Sequence, residues 1–223
     1  MIKLNIDFKS GIPPRILCLG AHCDDIEIGC GGTLMQLMEN YHGVACDFVI
    51  FCTDSKRLDE SRSAASRIAG AAGDVRLHSF RFRDGYLPYE GAAAKDALLE
   101  LSARLKPDVV FTHWRGDAHQ DHRLVSELTW NLFRDHLIFE YEIPKYDGDL
   151  DSPNVYVPLP DSIADRKVDI ILESFVSQAN KHWFSEDTFR SLMRLRGLES
   201  GREHRYAEAF YCRKSCLSPS IGN

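Results

Sequence analysis

The chain reads as an α/β protein: a single domain built on an open sheet of mostly parallel strands flanked by helices. Three observations point there. From Arg15 to about Trp130, apolar runs of four to eight residues alternate with longer stretches of helical periodicity. That alternation is what parallel βαβ units require. The length of 223 residues, 44% of them hydrophobic, suits one substantial core, and no internal repeat or low-complexity tract suggests another architecture.

Taken in order, Ile16–Leu19 is the first strand and Gly31–Asn40 the first helix. Cys46–Phe51 and Val75–Phe80 are the next two strands, followed by helices over Asp59–Ala71 and Lys95–Leu105 respectively. Lys106-Pro107-Asp108 stops the third helix, because proline denies its predecessor the helical region, and the strand Val109–Phe111 follows. A further helix runs from His119 to about Phe133. The result is a Rossmann-like sheet. Beyond Asp135 the rhythm weakens. Phe139–Ile143 is a candidate strand, and Tyr146–Pro160, rich in Asp, Pro and Gly, reads as a surface loop. Helices over Ala164–Gln178 and Glu186–Gly197 and a last strand at Tyr206–Tyr211 complete the chain. Residues 15–135 form the expected core of the domain, and 136–223 its substrate-side elements.

The net charge of -6, with no long run of Lys and Arg, excludes the electrostatic footprint of a nucleic-acid binder. No eighteen apolar residues run together, so no membrane span is expected, and the charged segment MIKLNIDFKS has no signal-peptide core. A cytoplasmic location is the expectation. Seven cysteines without a C-x-x-C pair read as reduced core thiols.

Strand one runs out into Gly20-Ala21-His22-Cys23-Asp24-Asp25, where ligands and chemistry gather in open α/β sheets. His22 and Asp25, three apart on a turn, can meet around one cation, while Asp24 projects differently and is free to act on a bound water. The plain alternative is an Asp that caps the next helix beside an ordinary turn histidine. Gly29-Cys30-Gly31-Gly32-Thr33 lacks the G-x-G-x-x-G order of a nucleotide loop. It reads as tight packing where a helix starts beneath the site, with Thr33 in the first turn.

Strand four runs out into a second polar cluster, His113-Trp114-Arg115-Gly116-Asp117-Ala118-His119-Gln120-Asp121-His122. With a helix starting near His119, His119 and His122 share a face, so that one can bind metal while the other points at substrate. A hydrated helix start is the plain alternative, but two such clusters at matching strand ends favour a site. Three protein ligands that leave a position for water are what catalytic zinc needs, and carboxamide cleavage is the natural reaction.

Together, AHCDDIEIGCGGTL at 21–34 and GDAHQDHR at 116–123 resemble the PIG-L/LmbE-like family of zinc-dependent N-deacetylases, whose signatures are A-H-P-D-D-x-E-x-G-C-G-G-T and D-x-H-x-D-H. The resemblance implies a hydrolase that removes the acetyl group from an N-acetylamino sugar or sugar conjugate, releasing acetate and a free amine. It implies His22, Asp25 and His122 as metal ligands and Asp24 as general base. His119 would steady the oxyanion, and Asp121 would orient or charge that histidine. The segments Arg57–Arg62 and Arg83–Leu87 are similar to the family's R-x-x-E helix start and to its Asp before a short loop. Asp84 and one of Arg57 or Arg62 are therefore candidates to bind sugar hydroxyls, with a solvated ion pair and a plain Asp-Gly turn as their ordinary alternatives. Cys23 departs from the family, where Pro is usual, and removes a rigid φ restraint between His22 and Asp24. The likeness covers the first 130 residues, and after them only Tyr206–Phe210 is similar.

Zinc is the expected cofactor, although the same ligands accept iron(II). Two rival functions follow from the same residues. An iron(II) facial-triad oxygenase leaves Asp24 and the His119–Asp121 pair without work, and a non-catalytic sugar- or nucleotide-binding module uses the crevice for recognition alone. A homo-oligomer is an open alternative to a monomer, with Trp183 and Phe184 as the aromatic side chains that a self-association surface would expose.

Overall fold

Side chains alternate across a strand, so each strand contributes to both layers beside the sheet. The computed structural model describes residues 5, 6, 8, 12–71, 73–201 and 203–216. Its strands are β1 (Arg15–His22), β2 (Ala45–Cys52), β3 (Asp74–Ser79), β4 (Val109–His113), β5 (Leu137–Tyr141), β6 (Val155–Leu159) and β7 (Tyr206–Tyr211). Its helices are α1 (Asp25–Asn40), α2 (Ser55–Ala69), α3 (Gly91–Ser102), α4 (Gln120–Leu132), α5 (Asp161–Ser174) and α6 (Glu186–Ser200). Ile16 and Cys18 of β1 join a core with Leu34 of α1, Ile68 of α2, Ile171 of α5 and Phe189 of α6. Leu17, Leu19 and Ala21 face the other way, onto Leu98 of α3 and Val125 of α4.

The sheet order is β3-β2-β1-β4-β5-β7-β6. The first five of these run parallel, β7 is antiparallel to β5, and β6 is antiparallel to β7. The strand order reverses between β1 and β4, the place where open α/β sheets form their crevice. The expected α/β architecture is therefore present, and no helix among the described residues is long and apolar enough to cross a membrane. All seven cysteines are free thiols, five of them buried.

Several expectations need correction. Val155–Leu159, expected within a loop, is the edge strand β6, paired only with β7 from fifty residues later. Its Pro158 suits an edge, where a missing N–H breaks no ladder. Trp183 and Phe184 do not form an exposed patch: Phe184 is buried and both rings pack edge-on against Phe189. The first helix begins at Asp25 rather than Gly31, so Thr33 lies in mid-helix.

The glycines of α1 do serve tight packing. A Cβ on Gly29 would fall 2.2 Å from the Tyr141 ring, and one on Gly32 would fall 2.7 Å from Leu159. Their narrow profile lets a buried ion pair reach the helix backbone. Glu208 of β7 accepts the N–H groups of Gly32 and Thr33 at 2.8 and 2.7 Å. Lys167 of α5 donates to the Ile28 carbonyl and to Glu208, both at 2.6 Å. Removing one partner of such a pair strands the other charge in the core. Glu208→Ala is thus expected to lose about 3–5 kcal/mol of stability in urea unfolding, with Glu208→Gln losing less. A loss below about 1 kcal/mol, the scale of a surface pair, would show that this contact does not hold α1.

Candidate metal centre and active site

His22 is the last residue of β1 and Asp25 the first of α1, with Cys23 and Asp24 forming the turn between them. Asp24 takes φ 108°, the one positive value at a non-glycine position among the described residues. Holding it in that left-handed region costs on the order of 1–3 kcal/mol. The tight turn lets the Asp25 Oδ2 accept the His22 N–H at 2.6 Å. Asp24 instead sits beside Arg57, its Oδ1 3.2 Å from the guanidinium.

His22 Nδ1, His122 Nε2 and the Asp25 carboxylate stand 3.3, 3.5 and 3.6 Å apart, pair by pair. Donors bound tetrahedrally to zinc at about 2.0–2.1 Å are separated from one another by about 3.3–3.4 Å. The three buried side chains converge closely enough to hold one ion, Asp25 presenting a different oxygen to each histidine, and their donor set suits zinc or iron(II). Each histidine offers its other nitrogen to a carboxylate. His22 Nε2 lies 3.0 Å from Asp84 and 3.3 Å from Asp121, and His122 Nδ1 lies 3.0 Å from Asp117. Such partners fix which ring nitrogen is left for an ion.

His119 caps α4, its Nδ1 accepting the Asp121 N–H at 3.2 Å, which leaves Nε2 as its free position. Of the two roles expected of Asp121, to orient or to charge His119, its charge raises that histidine against burial, while the ring is held by the Asp121 N–H and not by the carboxylate. That carboxylate accepts the Gly85 and Leu87 N–H groups at 2.7 and 3.1 Å and faces His22. Residues two apart at a helix start do not face one another, so Asp121 turns toward β1.

Of the two arginines considered, Arg57 reaches the site. Asp54 caps α2 by accepting the Arg57 N–H at 2.8 Å, which places Arg57 in the first turn. Arg62 is not brought to the cluster; its side chain is exposed and pairs with Asp59 at 2.8 Å. Asp84, though 66% exposed, touches the buried His22. Three further residues were not singled out as site residues from the sequence. His113, fully buried, stacks on His122 with centroids 3.9 Å apart and accepts the Ala21 N–H. Asp117 orients His122, and Lys145 supports Asp117 at 2.9 Å. His113 and Asp117 lie within the second polar cluster, but no local pattern marks Lys145.

Burial, together with the neighbouring His113, pushes His122 down to about 4, which leaves its lone pair free at neutral pH. Burial alone would raise Asp25, yet His122 and His113 hold its carboxyl well below the usual range. Burial likewise opposes the proton on His22, but Asp121, Asp25 and Asp84 raise it well above an ordinary histidine, so an arriving cation must displace a proton there. Burial lifts Asp24 to about 7 against the pull of Arg57. His119 is lowered by burial and by His22.

The chain is similar to known proteins in sequence and in fold. The family model of PIG-L, the GlcNAc-PI de-N-acetylases, matches residues 17–133. Diacetylchitobiose deacetylase of Thermococcus kodakarensis is 26% identical over 140 residues, 53% of this chain and 50% of the relative, so the match spans about half of that relative's length. The solved N,N'-diacetylchitobiose deacetylase of Pyrococcus horikoshii superposes with a TM-score of 0.68 at 21% identity, covering 88% of this chain and 82% of that one. The 4-carboxy-2-hydroxymuconate hydratase of Pseudomonas putida gives 0.71 at 15% identity, covering 94% and 100%. These structural likenesses show a shared fold.

The Asp24 shift has a stability consequence. Its folded pKa of about 7 lies above the ordinary 3.8, so its contribution is full below about pH 4 and is lost as pH rises through 7. In chelator-treated protein, Asp24→Asn should therefore gain stability relative to the parent between pH 5 and 8, measured by urea unfolding at each pH. A pH-independent difference would mean that the Asp24 carboxyl is not raised.

Proposed function

The chain belongs to the PIG-L family of GlcNAc-PI de-N-acetylases, and on that premise we propose that it is a metal-dependent N-deacetylase acting on an N-acetylamino sugar or sugar conjugate. The observation that carries this reading is the convergence of buried His22, Asp25 and His122 beside an Asp24 whose carboxyl is raised to about 7.

An ion held by His22, Asp25 and His122 would supply Lewis acidity, lowering the pKa of water towards about 7 and polarising a carbonyl. Asp24, turned away from Asp25 and aligned by Arg57, accepts the proton of the attacking water and returns it to the departing amine nitrogen. His119 needs no positive charge for its part. With Nδ1 occupied by the Asp121 N–H, its neutral form carries the proton on Nε2, which donates to the oxygen where negative charge develops. Asp84 and Arg57 bind sugar hydroxyls at the mouth. The residues balance as they must: one carboxylate, held low, stays with the ion, and its neighbour, held high, exchanges the proton.

Wild-type protein loaded with zinc or iron(II) is expected to release acetate from at least one N-acetylamino sugar or conjugate, and a chelator should abolish that activity. Asp24→Asn should lower kcat at least about a hundredfold while retaining metal, as read by acetate assay and metal analysis. Equal activity in the variant would remove Asp24 from the reaction. Full metal content with no acetate from any amide would overturn the deacetylase reading and direct attention to hydration, which a protein of the same fold performs.

A further inference from the structure

Cys23 separates the ligand His22 from Asp24, at the position where the first motif departs from proline. The turn it belongs to is strained, because Asp24 takes φ 108°, a value that side chains other than glycine adopt at a cost. The local route to relief is to turn over the peptide plane between residues 23 and 24. That motion changes ψ of the first residue and φ of the second together and leaves the chain on either side in place. The Asp24 carboxylate keeps its direction only while that plane is held.

Two contacts hold it, both from the junction of β2 and α2. Arg57 Nη2 donates to the Cys23 carbonyl at 2.5 Å and lies 3.2 Å from Asp24 Oδ1. The carbonyl belongs to the plane that would turn over, so relieving φ at Asp24 breaks the Arg57 bond. On the side chain of the same residue, Cys23 Sγ stands 3.0 Å from Thr53 Oγ1. Thr53 Oγ1 is also 3.0 Å from the Asp54 carbonyl, which can only accept, so the hydroxyl proton goes there and the thiol donates to Thr53. A thiol is a weak donor, but Cys23 is fully buried, so no water competes for the bond. Sheet register brings this junction to hand: His22 pairs with Cys52 across the parallel β1 and β2, and residue 23 leaves its strand beside residue 53.

We propose that Cys23 and Thr53 are positioning residues for Asp24. Their thiol–hydroxyl bond fixes residue 23 by its side chain, where a proline ring would fix it covalently, and so keeps the Cys23 carbonyl within reach of Arg57. The effect on turnover rests on the deacetylase reading; the bond and its hold on the turn do not.

The test is a double-substitution cycle on the metal-loaded full chain, read by acetate release and by urea unfolding. Cys23→Ala and Thr53→Val are each expected to lower kcat about three- to tenfold, the ratio that one hydrogen bond provides, with KM and bound metal unchanged. The double variant should fall no further than the larger single loss, and Cys23→Ser, which keeps a donor, should stay within about twofold of the parent. A Thr53→Val loss that recurs in full on the Cys23→Ala background shows that Thr53 acts through Asp54 alone and overturns the proposal. Single variants with the parent's kcat overturn it as well. So does a rise in KM or a loss of metal that matches the fall in kcat, because the whole site rather than Asp24 has then moved. If the parent releases no acetate from any amide, the deacetylase reading fails, and unfolding of the same proteins decides the bond by itself: non-additive losses leave it standing, and additive losses overturn it.

Discussion

The site depends on one buried carboxylate. Asp25 begins α1, receives the His22 N–H, and faces the rings of His113 and His122 that arrive from β4 and α4. Burial alone would favour its neutral acid, and His122 and His113 from the second half of the site, with His22 from the first, hold its carboxyl low. The two motifs are therefore electrostatically interdependent. Without the His113 and His122 rings, Asp25 would keep only His22 as a partner in the core.

Holding that carboxylate in place requires α1 to start abruptly at the sheet's switch point, and the rest of the fold supplies the restraint. The strained Asp24 turn sets the direction of the helix, while Lys167 and Glu208 grip it from behind through the backbone of Ile28, Gly32 and Thr33. Tyr141 packs so closely on Gly29 that no side chain fits there. Tyr141, Lys167 and Glu208 thus position a helix that begins at Asp25, more than a hundred residues earlier in the chain. Two further carboxylates combine such roles. Asp121 faces His22 and Asp117 faces His122 while each also accepts backbone N–H groups, from the 85–87 segment and from His119 respectively.

The family to which the chain belongs is defined over residues 17–133, the part in which βαβ order and both motifs lie. The neighbouring folds include both a deacetylase and a hydratase, so the sheet alone does not choose a reaction.

The sequence by itself determined what is local or periodic. Strand alternation, the proline stop before β4, and the spacing of His22, Asp24 and Asp25 and of His119 and His122 all depend on neighbours within a few residues, and the chain displays them directly. Arg57 and Arg62 were indistinguishable at that level, because only the Asp54 cap and the rotation of α2 carry one toward the cluster and the other to solvent. The edge strand β6, with its Pro158, looked like a loop because its partner lies fifty residues further on. Only the tertiary structure decided that Asp121 faces His22 as well as His119, that His113 stacks on His122, and that Lys145 and Glu208 reach across the molecule to groups far from them in sequence. Those contacts close long loops, and the burial that makes them strong exists only once the whole sheet has brought its strand ends together.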